Sequence, residues 1–287
     1  MTDDREQMAY SSQEELDRDI GVNNSRNGKK QFQFRLTERD YALFKFLLDQ
    51  KFASLEALFF KFFDSRKNLT DALPKNLAVA RQRLGILKRA GMIHTEKVYS
   101  EAKSLYLLSR SGWKALRNRY PDIVWGPPVL SVDFRNYEHD VRTTLIRIAL
   151  ERSHKAVKWY AERRIRMQGF KVKGVYGSLP ESIVPDGIFL TAKGERIAVE
   201  LEVSVRKKSR FKFKISEYEA LICRDSPLIH KVLFVAASDA VGKDLAEIIG
   251  KRAGFLLETY LHFRGRLYAG TDDQQSEIPA DNAEEDV

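Results

Sequence analysis

Residues 185–218 read PDGIFLTAKGERIAVELEVSVRKKSRFKFKISEY, and the fold turns on this stretch. Val199, Leu201 and Val203 alternate with Glu200, Glu202 and Ser204, the period of a half-buried strand. The segment before it, Ala192-Lys193-Gly194-Glu195, is a turn, so two strands should meet there as a hairpin. Side chains alternate across a strand, which puts Glu200 and Glu202 on one face. If the strand carrying Asp186 pairs across the turn, Asp186 approaches that same face and three carboxylates converge. Like charges that close raise one another's pKa unless a cation offsets them. One remedy is a hard divalent metal, which takes carboxylate oxygens and keeps waters. The other is the run at 206–214, with six Lys and Arg in nine residues.

An Asp after Pro, a gap, then an acid two positions before a lysine is the order of the PD-(D/E)xK nuclease superfamily. This stretch resembles it through Pro185-Asp186 and Glu200, with Glu202 standing at the lysine position. The chain is more similar to one family of that group, the replication-relaxation proteins associated with plasmid replication and mobilisation. Their pattern joins an N-terminal winged helix to PDG, then Glu-x-acid, then a basic helix with a Lys and a Tyr. Asp186, Glu200, Glu202, Lys214 and Tyr218 match it. The resemblance implies Asp186, Glu200, Glu202 and Lys214 as the catalytic set, with Asp186 and Glu200 holding Mg2+ if the site is active. A swing of Lys208 or Lys214 back to the carboxylates would replace the missing lysine.

The 287 residues exceed one typical domain, and 43% hydrophobic content supports packed cores. The formal charge is +9, although 271–287 hold seven acids and no base, so the body is more basic still. A basic body with acidic tails suggests a polyanion partner, most economically nucleic acid. A lone cysteine, Cys223, excludes an intrachain disulfide and Cys-based zinc sites and fits a cytoplasmic protein. The five histidines show no ligand spacing, and no Gly-rich phosphate loop is present. Without a signal peptide or a long apolar run, no membrane partner is expected.

Taken in order, 1–30 read as a disordered polar tail. Thr37-Glu38-Arg39-Asp40 caps a first helix carrying Tyr41, Phe44, Leu47 and Leu48, and Ser54 caps a second. A third helix runs from Pro74-Lys75 to Gly91, with Leu77, Ala80, Leu84 and Leu87 on its apolar face. Residues 92–96 and 104–108 read as two strands, and a helix opens at Ser109 and reaches Tyr120. Three helices and a two-stranded wing make 31–120 a winged helix-turn-helix. Its third helix would enter the major groove, with Gln82 and Arg89 reading bases and Arg81, Lys88 and Lys103 on phosphates.

Residues 121–133 form a linker, and 134–270 a restriction-endonuclease-like mixed domain of pattern αβββαβαβ, making the whole α+β. Its parts are a helix over 135–152, a strand over 157–165 with Glu162 as a fourth carboxylate, and the hairpin. A basic helix with Lys207, Arg210 and Lys214 on one face follows, its phenylalanines read as core. A doubly buried strand at 231–237, a helix over 241–252 ended by Gly254, and a strand over 255–263 complete it, before an acidic disordered tail at 271–287. His139, near the start of its first helix, matches a family histidine, and a single helix-face hydrogen bond is its simpler role.

The leading expectation is a protein of plasmid or mobile-element replication or mobilisation that binds double-stranded DNA and has a nuclease-like second domain without full activity. A relaxase or replication protein is the partner implied by the resemblance. The alternatives are a Mg2+-dependent endonuclease and a winged-helix transcriptional regulator whose second domain either senses a signal or forms a homodimer.

Overall fold

Helix α1 (Glu38–Gln50) buries Tyr41, Leu43, Phe44, Leu47 and Leu48 and starts where the Thr37 capping signal predicts. The computed structural model describes residues 34–66, 77–99, 103–121, 126–153, 155–168, 179–180, 182–205 and 208–269. Residues 34–37 carry no regular secondary structure, and from Glu38 the chain is one compact unit of mixed α and β structure with two sheets. Lys51 follows α1 with φ 71°, in the left-handed region, and leads into β1 (Phe52–Ser54). Sequence reading misses β1 because three residues are too short to show alternation. Ser54 then caps α2 (Leu55–Phe62), its hydroxyl accepting from Ala57 N at 3.1 Å.

Helix α3 (Ala78–Arg89) buries the expected stripe of Ala80, Leu84 and Leu87, while its expected start at Pro74-Lys75 lies outside the described residues. Strands β2 (Ile93–Glu96) and β3 (Leu105–Leu108) pair antiparallel, Ile93 opposite Leu108, and β1 adds to the other edge of β3. The Ser109 hydroxyl accepts from Gly112 N at 3.0 Å and caps α4 (Arg110–Arg119). Gly112 is needed there, since a Cβ would lie 2.2 Å from the Met92 carbonyl oxygen.

Helix α5 (Tyr137–Arg152) was expected to bury one face, through Val141, Leu145, Ile148 and Ala149. Instead every residue from Thr143 to Leu150 is buried. It packs against α2 and β1, and also against β6 (Arg196–Glu202) and α9 (Tyr260–Tyr268), which leaves that stretch no solvent face.

The second sheet has the order β4-β5-β6-β7-β8. Strands β4 (Lys158–Ala161), β5 (Gly187–Leu190) and β6 run antiparallel, and β7 (Lys231–Ala236) and β8 (Phe255–Thr259) lie parallel to β6. The β5–β6 turn is as read, with Gly194 at φ 82° and Thr191 N donating to Glu195 O. Four expectations are corrected. The strand over 157–165 ends at Ala161, where α6 (Glu162–Gln168) begins with Glu162 paired to Arg166 one turn on. The strand over 255–263 gives way at Tyr260 to α9, capped by Thr259. Helix α8 (Asp239–Ile249) is capped by Ser238 and stops at Gly250, at φ 62°, before Gly254. Strand β6 is buried from Arg196 to Leu201 on both faces, because α7 (Lys208–Ile222) covers the acidic face that alternation assigned to water. Phe211, Ile215 and Tyr218 of α7 share a core with Ala198, Phe234 and the apolar face of α8. Among the described residues, no helix is long and apolar enough to cross a membrane.

Candidate functional site

Strand register assembles the acids. Gly187 lies opposite Val199 across β5 and β6, so one residue earlier Asp186 faces Glu200. Ala161 lies opposite Gly187 across β4 and β5, which sets Glu162 beside Asp186, and Glu162 N donates to Asp186 O at 3.2 Å. Glu162, Asp186 and Glu200 thus occupy one row across neighbouring chain segments, with Glu202 two residues further along β6.

Each acid of the β5–β6 pair meets protein donors. Asp186 Oδ2 accepts from Leu201 N at 2.7 Å and from His139 Nε2 at 3.2 Å. Lys214 Nζ donates to Glu200 Oε2 and Glu202 Oε1, both at 2.8 Å, and Tyr218 OH donates to Glu200 Oε1 at 2.5 Å. Lys214 and Tyr218 stand one helical turn apart, so burying the Phe211–Ile215–Tyr218 stripe carries the ammonium to the carboxylates as well. Lys208 does not reach them and pairs with Glu247 at 3.3 Å.

Burial pushes Glu200 up to about 7, Lys214 pulling it down and Asp186 adding to the rise. Burial likewise raises Glu202 above the usual carboxylate range, against the pull of Lys214. For Lys214 burial would lower the pKa, but the charges of Glu200 and Glu202 outweigh it and hold the amine protonated. Burial and Glu200 together raise Tyr218 far above a free phenol, which keeps it a donor. Burial also opposes charge on His139, yet hydrogen bonds to Asp140 and Asp186 win and push the imidazole up to about 10.

Sequence reasoning named Glu162 and His139 but missed Lys51 and Asp140 at this corner. Lys51 Nζ binds Asp140 Oδ2 at 3.1 Å and Glu162 Oε2 at 3.4 Å, reaching from the turn after α1 to the row of acids. No sequence signal marks that turn, since its left-handed residue is a lysine rather than a glycine. His139 does more than make a single helix-face hydrogen bond, because it bridges Asp140 and Asp186. Lys51, His139, Asp140, Glu162 and Asp186 line a cavity of about 20 Å³, which is room for about one water rather than a ligand.

The oxygens that would hold Mg2+ are therefore engaged. Asp186 Oδ2, both Glu200 oxygens and Glu202 Oε1 accept from protein donors. Among the described residues, no group of three or more His, Cys, Asp or Glu is arranged to hold a metal ion. To hold the ion, Asp186 and Glu200 would have to exchange these donors for it.

The expected nucleic-acid residues fall on two surfaces. Arg81, Gln82, Lys88 and Arg89 are exposed on α3, opposite its buried stripe, and Lys103 is exposed just before β3. Lys88 Nζ donates to Thr95 Oγ1 of β2 at 2.7 Å, joining the helix to the hairpin. Arg210 is exposed on α7, and Lys207 lies outside the described residues. Phe211 is core at 8% exposure, but Phe213, off the apolar stripe, is 57% exposed, which corrects the reading of both as core. Comparisons of the chain with protein-family models, with curated proteins and with solved structures gave no match.

Proposed function

We propose that the chain binds duplex DNA through a winged helix formed by α1–α4 and the β2–β3 hairpin, and that 134–270 is a nuclease-like domain held in an inactive form. The observation that carries this reading is the exposed face of α3, where Arg81, Gln82, Lys88 and Arg89 stand beside the hairpin. Arginine and lysine there match phosphates and guanine edges, and glutamine matches adenine. The charge of +9 supplies the long-range attraction. In the second part, three antiparallel strands followed by a helix and a parallel strand support a PD-(D/E)xK-like core. Its acids are offset internally by the charges of Lys214 and His139, and Tyr218 adds a hydrogen bond. A role in plasmid or mobile-element replication or mobilisation, beside a relaxase or replication protein, follows from the resemblance to the replication-relaxation family.

A metal-dependent endonuclease is the second reading, and Lys214 favours it by placing an amine between Glu200 and Glu202. One experiment separates the two. Supercoiled plasmid is incubated with the protein, with and without Mg2+ or Mn2+, beside Asp186→Asn and Glu200→Gln variants and a native gel. A gel shift without nicking, weakened by Arg81→Ala with Arg89→Ala, is expected. Metal-dependent nicking lost in the Asp186 and Glu200 variants would replace the first reading by the second.

A further inference from the structure

A second basic surface lies away from the acids. Helix α4 turns Arg110, Trp113, Lys114, Arg117 and Asn118 toward one cleft, at spacings of three and four residues that share a helix face. Pro127, Pro128 and Leu130 form part of its other wall, and the cavity measures about 640 Å³, within the range of small-molecule sites. Arg117 lies 4.9 Å from the centre of the Trp113 ring. Arg110, Lys114 and Arg117 form no ion pair with a described residue, and no described acid lines the cleft.

Helix stability accounts for Arg117, which lies in the last turn and over the Trp113 ring, but not for Arg110. Arg110 is the first residue of α4, where the helix dipole disfavours a cation. Trp113 Nε1 is buried without a hydrogen-bond partner, so the indole is not held by its polar atom. A cleft that joins three cations without an ion pair among the described residues, an indole and apolar proline walls suits a ligand with phosphates and a flat ring. An extended acidic peptide would match the charge but would leave the indole unused.

We propose that this cleft binds a nucleotide, its phosphates on Arg110, Lys114 and Arg117 and its base against Trp113. The nucleotide is either free or an unpaired residue of a DNA strand, and the chemistry of recognition is the same. The site is separate from the α3 surface and does not rest on duplex binding there.

Isothermal titration of the full chain with dATP, with tripolyphosphate and with single-stranded oligothymidylate tests it. Saturable binding of dATP or of the oligonucleotide is expected, tighter than tripolyphosphate and weakened about tenfold or more by Arg110→Ala with Lys114→Ala. Both positions are exposed, so that variant should keep its fold, which circular dichroism checks. Binding of dATP assigns a free nucleotide, and binding of the oligonucleotide alone assigns a strand. The Arg81→Ala, Arg89→Ala protein should bind dATP or the oligonucleotide as the wild type does, which separates this site from the α3 surface. No binding, tripolyphosphate binding as tight as the nucleotide, or binding unchanged by the α4 variant would overturn the proposal.

Discussion

His139 and Glu200 are both raised above their ordinary values, and each ties stability to pH in its own window. The imidazole is raised from an ordinary 6.5 to about 10, so its contribution is whole below about 6.5 and is lost as pH climbs toward 10. Glu200 is raised from 4.5 to about 7, so folding is favoured below 4.5 and that advantage disappears as pH passes 7. Chemical denaturation across pH should show both declines. His139→Gln should flatten the upper window and Glu200→Gln the lower one, and curves that keep the wild-type shape would contradict the assignment. Lys214 carries the largest single effect of the cluster. Its removal as Lys214→Met leaves Glu200 and Glu202 buried against each other, at a cost of about 3 kcal/mol. Adding Glu200→Gln and Glu202→Gln to it should recover part of that loss, and strict additivity of the three changes would deny the contact.

Among the elements, α4 and α7 show how packing places chemistry. Gly112 sits under the Met92 carbonyl with no space for a methyl group, so Gly112→Ala must shift β2 against α4 and should lower unfolding free energy by about 1–3 kcal/mol. A neutral result in urea denaturation would mean that the two elements are not packed as described. Much of this was legible in the sequence, and the reasons are local. Ser54 and Ser109 announced their helices through capping, the stripe of α3 through its spacing, and the β5–β6 hairpin through Lys193-Gly194. The acidic row was legible because register follows from the turn, while Lys214 was marked by the family resemblance and not by helix periodicity, which grouped it with Lys207 and Arg210. What alternation could not show is what covers a face. Strand β6 read as half-buried because alternation does not show that the next helix, α7, folds back over its acidic face, and α5 as one-sided because α2 and β1 come from distant sequence. The Lys51 bridge was hidden for the same reason, being a contact across 89 residues to Asp140.

At the scale of the molecule, charge is divided between a basic body and an acidic end. If the seven acids at 271–287 compete with phosphate for the basic surface, deleting them should raise duplex affinity at low salt and make little difference at high salt. A gel-shift series at two ionic strengths checks this, and equal affinity at low salt would refute the competition. The central claim is that α3 holds the DNA. Fluorescence anisotropy of a labelled duplex, titrated with protein over a range of NaCl, tests it most directly for the wild type and for Arg81→Ala with Arg89→Ala. The account predicts log K falling linearly with log salt by roughly 0.9 per phosphate contact, and a shallower slope and weaker binding in the variant. An affinity and slope that the variant leaves unchanged would place the DNA elsewhere and contradict the account.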